Sequence, residues 1–429
     1  MLLTADWVVP VSRRPIRRGA VVVRGEHIVA VGTTSELSTT FAEEEVVDLS
    51  GCVLMPGLVN AHTHLGLSAV EGLFEPTPFI EWLPQIVRAM RSWSAEDYAA
   101  SAAVGAARCL HAGVTAVGDI TYGARSVEAA TRVGLGGAYF FEVLGITPGE
   151  LSERLDVIGF DVKREYGPRV RCGLSPHALY SSGPALLDAV AVLAREVGAP
   201  LALHVAETVA EVELVRDGSG DLAPVAAKLA HGFRPTGEHP IGYLDRLGVL
   251  GGATAVHACQ TWPTDVGRLA ATVRGVVTCP RSNEWLHNGI APVEQLLRAG
   301  VPVGIGTDSL ASTPDLDLFE EARALRRRFP LVPDRTLLEM LTLHGAVALG
   351  IEELVGALEP GMQADLVAFG LPNAGDPEST LVREAGRKTA EAVISGGVWC
   401  VRDGELLVDV AADAEAAQAA RARAEQALA

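Results

Sequence analysis

The sequence predicts an α/β protein, a (β/α)8 TIM barrel joined to a small composite β-sandwich domain built from both chain ends. Three observations carry that expectation. Between Val53 and Asp308, short apolar strands alternate with Ala/Leu-rich helical stretches, the pattern of βα units around a parallel sheet. Eight such strands can be counted, the number a barrel needs. Glycine-punctuated, β-branched segments flank them, in the first fifty residues and again after Gly356.

Taken in order, residues 1–52 read as the N-terminal part of the β-domain, with strands Trp7–Pro10, Gly19–Val23, His27–Val31 and Glu45–Asp48. Residues 53–354 read as the barrel. Its strands are VLMPGLVNAHTH, VTAVGDI, GGAYFFEVL, VRCGLSPH, PLALHVAE, ATAVHACQ, GVVTCPRS and PVGIGTDS. Helices are expected over Glu96–Leu110, Pro184–Val197, Pro263–Val273 and Pro292–Ala299, several opening on the Pro that helix starts favour. Two more follow the last strand, Leu316–Arg328 and Arg335–Leu349. Residues 355–410 return to short strands and complete the β-domain, and 411–429 form a C-terminal helix expected to be exposed. The connection from His204 to His257 is about twice as long as its neighbours, and connections of that length serve as lids or binding loops. Its excess, Val209–Pro240, shows little periodicity and reads as a substrate cover or as a surface insertion.

A formal net charge of −18 opposes phosphate backbones and anionic headgroups, so neither nucleic acid nor a membrane is expected as a partner. The start, MLLTADWVVPVSRRP, carries no basic segment ahead of an apolar one, and no signal peptide is expected. No apolar run reaches the length that spans a bilayer. The expectation is a cytoplasmic protein, with a homodimer as the assembly left open. None of the six cysteines has metal-ribbon spacing.

The predicted strand ends carry the chemistry: His62 and His64, Asp119, Glu142, His177, His204 and Glu207, His257, Ser282 and Asn283, and Asp308. In a parallel barrel these ends share one face, where barrel active sites are built. Imidazoles and carboxylates at one mouth are ligands for a borderline divalent ion such as zinc. H-x-H in a strand puts both rings on one face. Singly each signal is weak: His204 alone reads more often as a core histidine, and an Asp before Ser is a common helix N-cap. It is the coincidence at strands one, five and eight that points to a metal.

VNAHTHL, SPHALYSS, LHVAET, VHACQ, TCPRSN and GTDSLAS, in this order and spacing, resemble the amidohydrolase superfamily, and within it the hydrolytic deaminase and chlorohydrolase branch. The resemblance implies one divalent ion, zinc first with iron(II) or manganese(II) as alternatives, held by His62, His64, His204 and Asp308. It implies that Glu207 shuttles protons and that His257 orients the attacking water. Two-metal members carry a carboxylated lysine or an acid on strand four, whereas VRCGLSPH has neither. Asp308 would then take the proton of water while Glu207 donates to a ring nitrogen of an N=C–NH₂ heterocycle. That chemistry favours deamination over amide hydrolysis or dechlorination.

The substrate expected is an aminated, purine-like nucleoside. In S-adenosylhomocysteine deaminases an acid after the E-W-L tripeptide holds the ribose; here Leu83–Ala95 has no carboxylate. YFFEVLG, LSPHALYS, CPRSN and GTDSLAS resemble instead the aminodeoxyfutalosine deaminases of menaquinone biosynthesis. Deaminases of S-adenosylhomocysteine, methylthioadenosine or guanine and triazine chlorohydrolases remain the alternatives. The resemblance implies that His177 bonds the substrate; a structural strand-end histidine is the other reading. Glu142 is expected to reach a sugar or exocyclic amine, or to pair with an arginine. Trp82 and Phe74 are read as ring-stacking or as core, and His287 as near enough to touch substrate.

Overall fold

The computed structural model describes residues 1–429. Four strands come first: β1 (Leu2–Val8), β2 (Ile16–Arg24), β3 (His27–Thr33) and β4 (Val46–Pro56). Next comes a parallel sheet of β5 (Leu58–Thr63), β6 (Val114–Thr121), β7 (Gly136–Glu142) and β8 (Val170–Ser175), in that order. A second parallel sheet holds β9 (Ala202–Val205), β10 (Thr254–His257), β11 (Gly275–Thr278) and β12 (Val303–Ile305). Both pairs of outer edges meet through single parallel bridges, Thr63 with Asp308 and Leu174 with Leu201. The chain returns to antiparallel pairing in β13 (Leu366–Gly370), β14 (Ala390–Ser395), β15 (Val398–Arg402) and β16 (Glu405–Leu406).

The strands of both chain ends form one eight-stranded sheet, ordered β16-β15-β14-β13-β4-β1-β2-β3. The composite β-domain expected from both chain ends is thus one continuous hydrogen-bonded sheet. Because β4 pairs with β1 on one side and β13 on the other, the two ends are hydrogen-bonded side by side into a single sheet. Alternation along β4 divides its faces. Cys52 and Leu54 join a 14-residue core belonging to the sheet, while Val53 and Met55 face the main core. β4 reaches Pro56, so residues 53–56 belong to this sheet and not to the first barrel strand.

Inside the paired parallel sheets, Val59, Ala61, Ala116, Ile120, Ala138, Phe140, Ala202 and Val277 pack with Ala346, Ala348 and Leu349. Small side chains are needed where strands approach closely. A Cβ on Gly306 would lie 2.6 Å from the His62 carbonyl oxygen and 2.8 Å from the His62 Cβ, so only glycine fits beside that histidine.

Three further expectations need correction. Arg335–Leu349 is two helices, Asp334–Met340 and Leu343–Leu349, broken at Thr342, whose φ of −139° and ψ of −93° are not helical. The long insertion is helical, with Val209–Asp217, Ala223–Leu229 and Pro240–Arg246; its helices are too short for a visible 3.6-residue period. The C-terminal helix Ala411–Leu428 is not a free appendage. Ala417, Ala420 and Ala424 are buried against a cluster that includes Ile86, Ala89 and Trp93, and Trp93 Nε1 donates to the Ala420 carbonyl over 3.1 Å. Its small residues let it lie close, which hides the amphipathic signal. No helix is long and apolar enough to cross a membrane.

Candidate active site

His62 lies in β5 and His64 just beyond it, both buried. His204 is in β9, His257 ends β10, and Asp308 follows β12. These ends converge: the His62 ring centroid lies 5.0, 5.1 and 5.4 Å from those of His64, His204 and His257. Backbone turns make the convergence possible. His177, His257 and Asp308 adopt φ of 39°, 68° and 62°, a region costly for side chains other than glycine and kept where function over-determines it.

The donors suit a divalent cation. His62, His64 and Asp308 offer ligand atoms within 4.8 Å of one another, as do His62, His204 and His257. His62 Nε2 is buried without a hydrogen-bond partner and stands 3.6 Å from Asp308 Oδ1. His204 Nδ1 donates to the His177 carbonyl over 3.1 Å, which leaves Nε2 as the free lone pair. Burial keeps the rings neutral: His64 is lowered to about 3 and His204 well below the usual histidine range. For Asp308 burial works the other way. The His62 contact and the surrounding imidazoles outweigh it and hold the carboxyl well below the usual range.

Beside this cluster stands Glu207, 3% exposed. Its Oε1 accepts from Asn288 Nδ2 over 2.8 Å and lies 3.8 Å from His257 Nε2. Burial raises this carboxyl to about 7, against the pull of His257 and Asn288. His257 Nδ1 donates to Asn283 Oδ1 over 3.0 Å, which leaves Nε2 turned toward Glu207 and the site.

Both groups open onto a cavity of about 510 Å³ that also touches His64, Trp82, Tyr122, Glu142, His177 and Tyr180. His177 hydrogen-bonds Ser181 Oγ over 2.5 Å and sits 3.8 Å from Glu142 Oε1. Burial raises Glu142 to about 7, and no arginine pairs with it. Trp82 Nε1 donates to the Ala311 carbonyl over 2.9 Å. The outer walls are apolar: Leu83, Ile86, Val87 and Met90 on the side of helix Phe79–Ala89, and Val225 and Leu229 from the insertion.

The expected ligands, the catalytic groups and His177, Glu142 and Trp82 thus lie at one mouth, whereas other residues singled out do not. Phe74 is packed in the cluster beneath the C-terminal helix and does not line the cavity. Asp119 accepts from the Leu65 N–H over 2.7 Å and fastens the turn after His64. His287 is exposed and lines a separate groove; its neighbour Asn288 reaches the site instead. Asn288 was missed although it follows strand seven closely, because histidine is the stronger lone signal. Ser312, which donates to Asp308 Oδ2 over 3.0 Å, was also missed, although its four-residue spacing from Asp308 was there to read.

Imidazoles and a carboxylate at the ends of parallel strands, with a buried carboxyl beside them, are the donor set that metal-assisted hydrolysis uses. Residues 53–400 match the amidohydrolase family, and residues 19–43 match an imidazolonepropionase-like composite domain of bacteria. A 5-methylthioadenosine/S-adenosylhomocysteine deaminase of Nitratidesulfovibrio vulgaris is 33% identical over 92% of this chain and 90% of its own. An aminodeoxyfutalosine deaminase of Deinococcus radiodurans is 34% identical over 81% and 85%. The crystal structure of an adenosine deaminase from Xanthomonas campestris with bound zinc superposes with a TM-score of 0.86 at 28% identity, covering 99% of this chain and 98% of the other. The chain belongs to the amidohydrolase family. It is a hydrolase acting on carbon–nitrogen bonds other than peptide bonds, in cyclic amidines.

Proposed function

We propose that the chain removes ammonia from the adenine-type ring of a nucleoside, with aminodeoxyfutalosine, in menaquinone biosynthesis in the cytoplasm, as the leading substrate. The observation that carries this reading is the position of Glu207: a buried carboxyl, pushed up to about 7 by burial, set beside the His/Asp cluster and facing the cavity. We read the eight parallel strands, joined at both edges, as one (β/α)8 barrel with this mouth at its carboxyl end.

His62, His64, His204 and Asp308 would hold one divalent ion, zinc being the first choice. Bound there, the ion supplies the positive charge that brings the pKa of water toward neutrality. Asp308 accepts the proton of the attacking water, and His257 Nε2 steadies that water from the other side. Glu207 delivers its proton to a ring nitrogen, which makes the adjacent C–NH₂ carbon electrophilic. Asp308 then passes its proton to the departing ammonia. Glu142 and His177 sit where the ribose enters, and Trp82 offers a flat face to the ring.

The apolar walls favour a nucleoside with an apolar extension, and Lys228 is the single Lys or Arg lining the cavity. A carboxylate-ended aromatic extension, as in aminodeoxyfutalosine, suits both. Asp221, which lines the same region, favours a second reading, an S-adenosylhomocysteine deaminase, because it would meet that substrate's ammonium group. The test is ammonia release across aminodeoxyfutalosine, methylthioadenosine, S-adenosylhomocysteine, adenosine, guanine and a chlorotriazine. Preference for aminodeoxyfutalosine is expected. Turnover of S-adenosylhomocysteine alone would move the assignment to the second reading, and inactivity on every nucleoside by zinc-loaded protein would overturn both.

A further inference from the structure

We infer that Asn288 is a positioning residue for the reaction: it selects which oxygen of Glu207 carries the transferable proton and aims that oxygen at the substrate. This rests on the proton-carrying role of Glu207 proposed above.

A carboxyl group has two oxygens, and a proton is useful only on the one that faces the ring. Asn288 Nδ2 donates to Glu207 Oε1 over 2.8 Å. An amide N–H cannot accept, so a carboxyl proton on Oε1 would be set against another donor. The proton therefore belongs on Oε2. That atom has no donor or acceptor from the protein, and Glu207 borders the cavity.

Asn288 is itself fixed. It is 4% exposed; its carbonyl accepts from Gln260 Nε2 over 2.6 Å, and its N–H donates to the Asn283 carbonyl over 2.8 Å. The Gln260 N–H in turn donates to the carbonyl of Ala206, the residue before Glu207, over 2.8 Å. Both ends of the Asn288–Glu207 bond are thus tied to Gln260, in the segment after β10. Left-handed turns at His287 (φ 58°) and Gly289 (φ 89°) send the histidine outward and the Asn288 side chain in.

The test is a double-mutant cycle, read on the panel nucleoside that turns over fastest, together with zinc content and melting. Asn288→Leu, close to Asn in size and without a donor, should lower kcat about 10- to 100-fold and move KM less than threefold, with zinc retained. Asn288→Ala, which cannot crowd the pocket, replaces it if the leucine variant does not fold. Glu207→Gln/Asn288→Leu should be no slower than Glu207→Gln alone, because Asn288 acts only through that carboxyl. Multiplicative losses, or a normal kcat in both Asn288 variants, would overturn the inference while leaving Glu207 in place. A normal kcat in Glu207→Gln would remove the proton-carrying role itself.

Discussion

Ser282 Oγ donates to Asp308 Oδ2 over 2.6 Å, so the carboxylate cannot rotate freely about its own axis. Ser312 Oγ meets the same oxygen, which leaves Oδ1 turned toward His62 and His64, each 3.6 Å away. The ligand face of Asp308 is thus set before any ion arrives. Ser282→Ala should cost about 1–3 kcal/mol, the usual loss when a buried acceptor forfeits a donor, and should loosen zinc. Urea unfolding and a chelator competition measure the two effects; an unchanged zinc affinity would show that Ser312 alone suffices.

His204→Ala and Glu207→Gln should separate holding from turnover. The first removes a ring whose free nitrogen faces the cluster, and elemental analysis should find well under one equivalent of zinc. The second keeps its zinc and loses about two to four orders of magnitude in kcat. A full equivalent of metal in His204→Ala would take that histidine out of the ligand set.

Ala420 sits fully buried where the C-terminal helix crosses Trp93. Arg88, on the helix that walls the cavity, donates to the Leu428 carbonyl over 3.1 Å. Ala420→Leu should therefore overpack this contact at about 1–3 kcal/mol and raise KM more than it lowers kcat. Steady-state kinetics with a thermal melt would reveal it; lower stability with unchanged KM would mean that the cavity wall stands without its brace.

Glu211 accepts from the N–H groups of Ala206 and Glu207, over 3.0 and 2.9 Å. Burial nonetheless raises its carboxyl to about 8 from an ordinary 4.5. The folded chain therefore keeps a proton that the unfolded chain releases. The stabilisation is complete below pH about 4.5 and is lost as pH rises through about 8. Glu211→Gln keeps an acceptor and cannot ionise, so its Tm should fall less than that of the wild type between pH 5.5 and 8.5. Parallel curves for the two proteins would place the ionisation elsewhere.

Much of this was legible in the sequence because period-two alternation fixes which residues face inward. His62 and His64, two apart, had to share a face, and strand-end carboxylates had to meet at one mouth. What stayed hidden depends on contacts between distant segments. Asn288 gains meaning only from Glu207, 81 positions away. The single sheet is decided by β4 pairing with β13, which local strand patterns do not encode. The insertion helices are too short to show a helical period, and the alanine face of the C-terminal helix lacks the large apolar residues that would have signalled its burial.

The pairing of β4 with β13 also sets an order of events during synthesis. β4 ends at Pro56 and β13 begins at Leu366, so most of the chain must be made before that edge finds its partner. At roughly 5–20 residues per second this leaves the nascent edge open for about 15 to 60 s. An open strand edge is a template for unwanted pairing, so the half-made sheet is at its most exposed while the residues between β4 and β13 are being added.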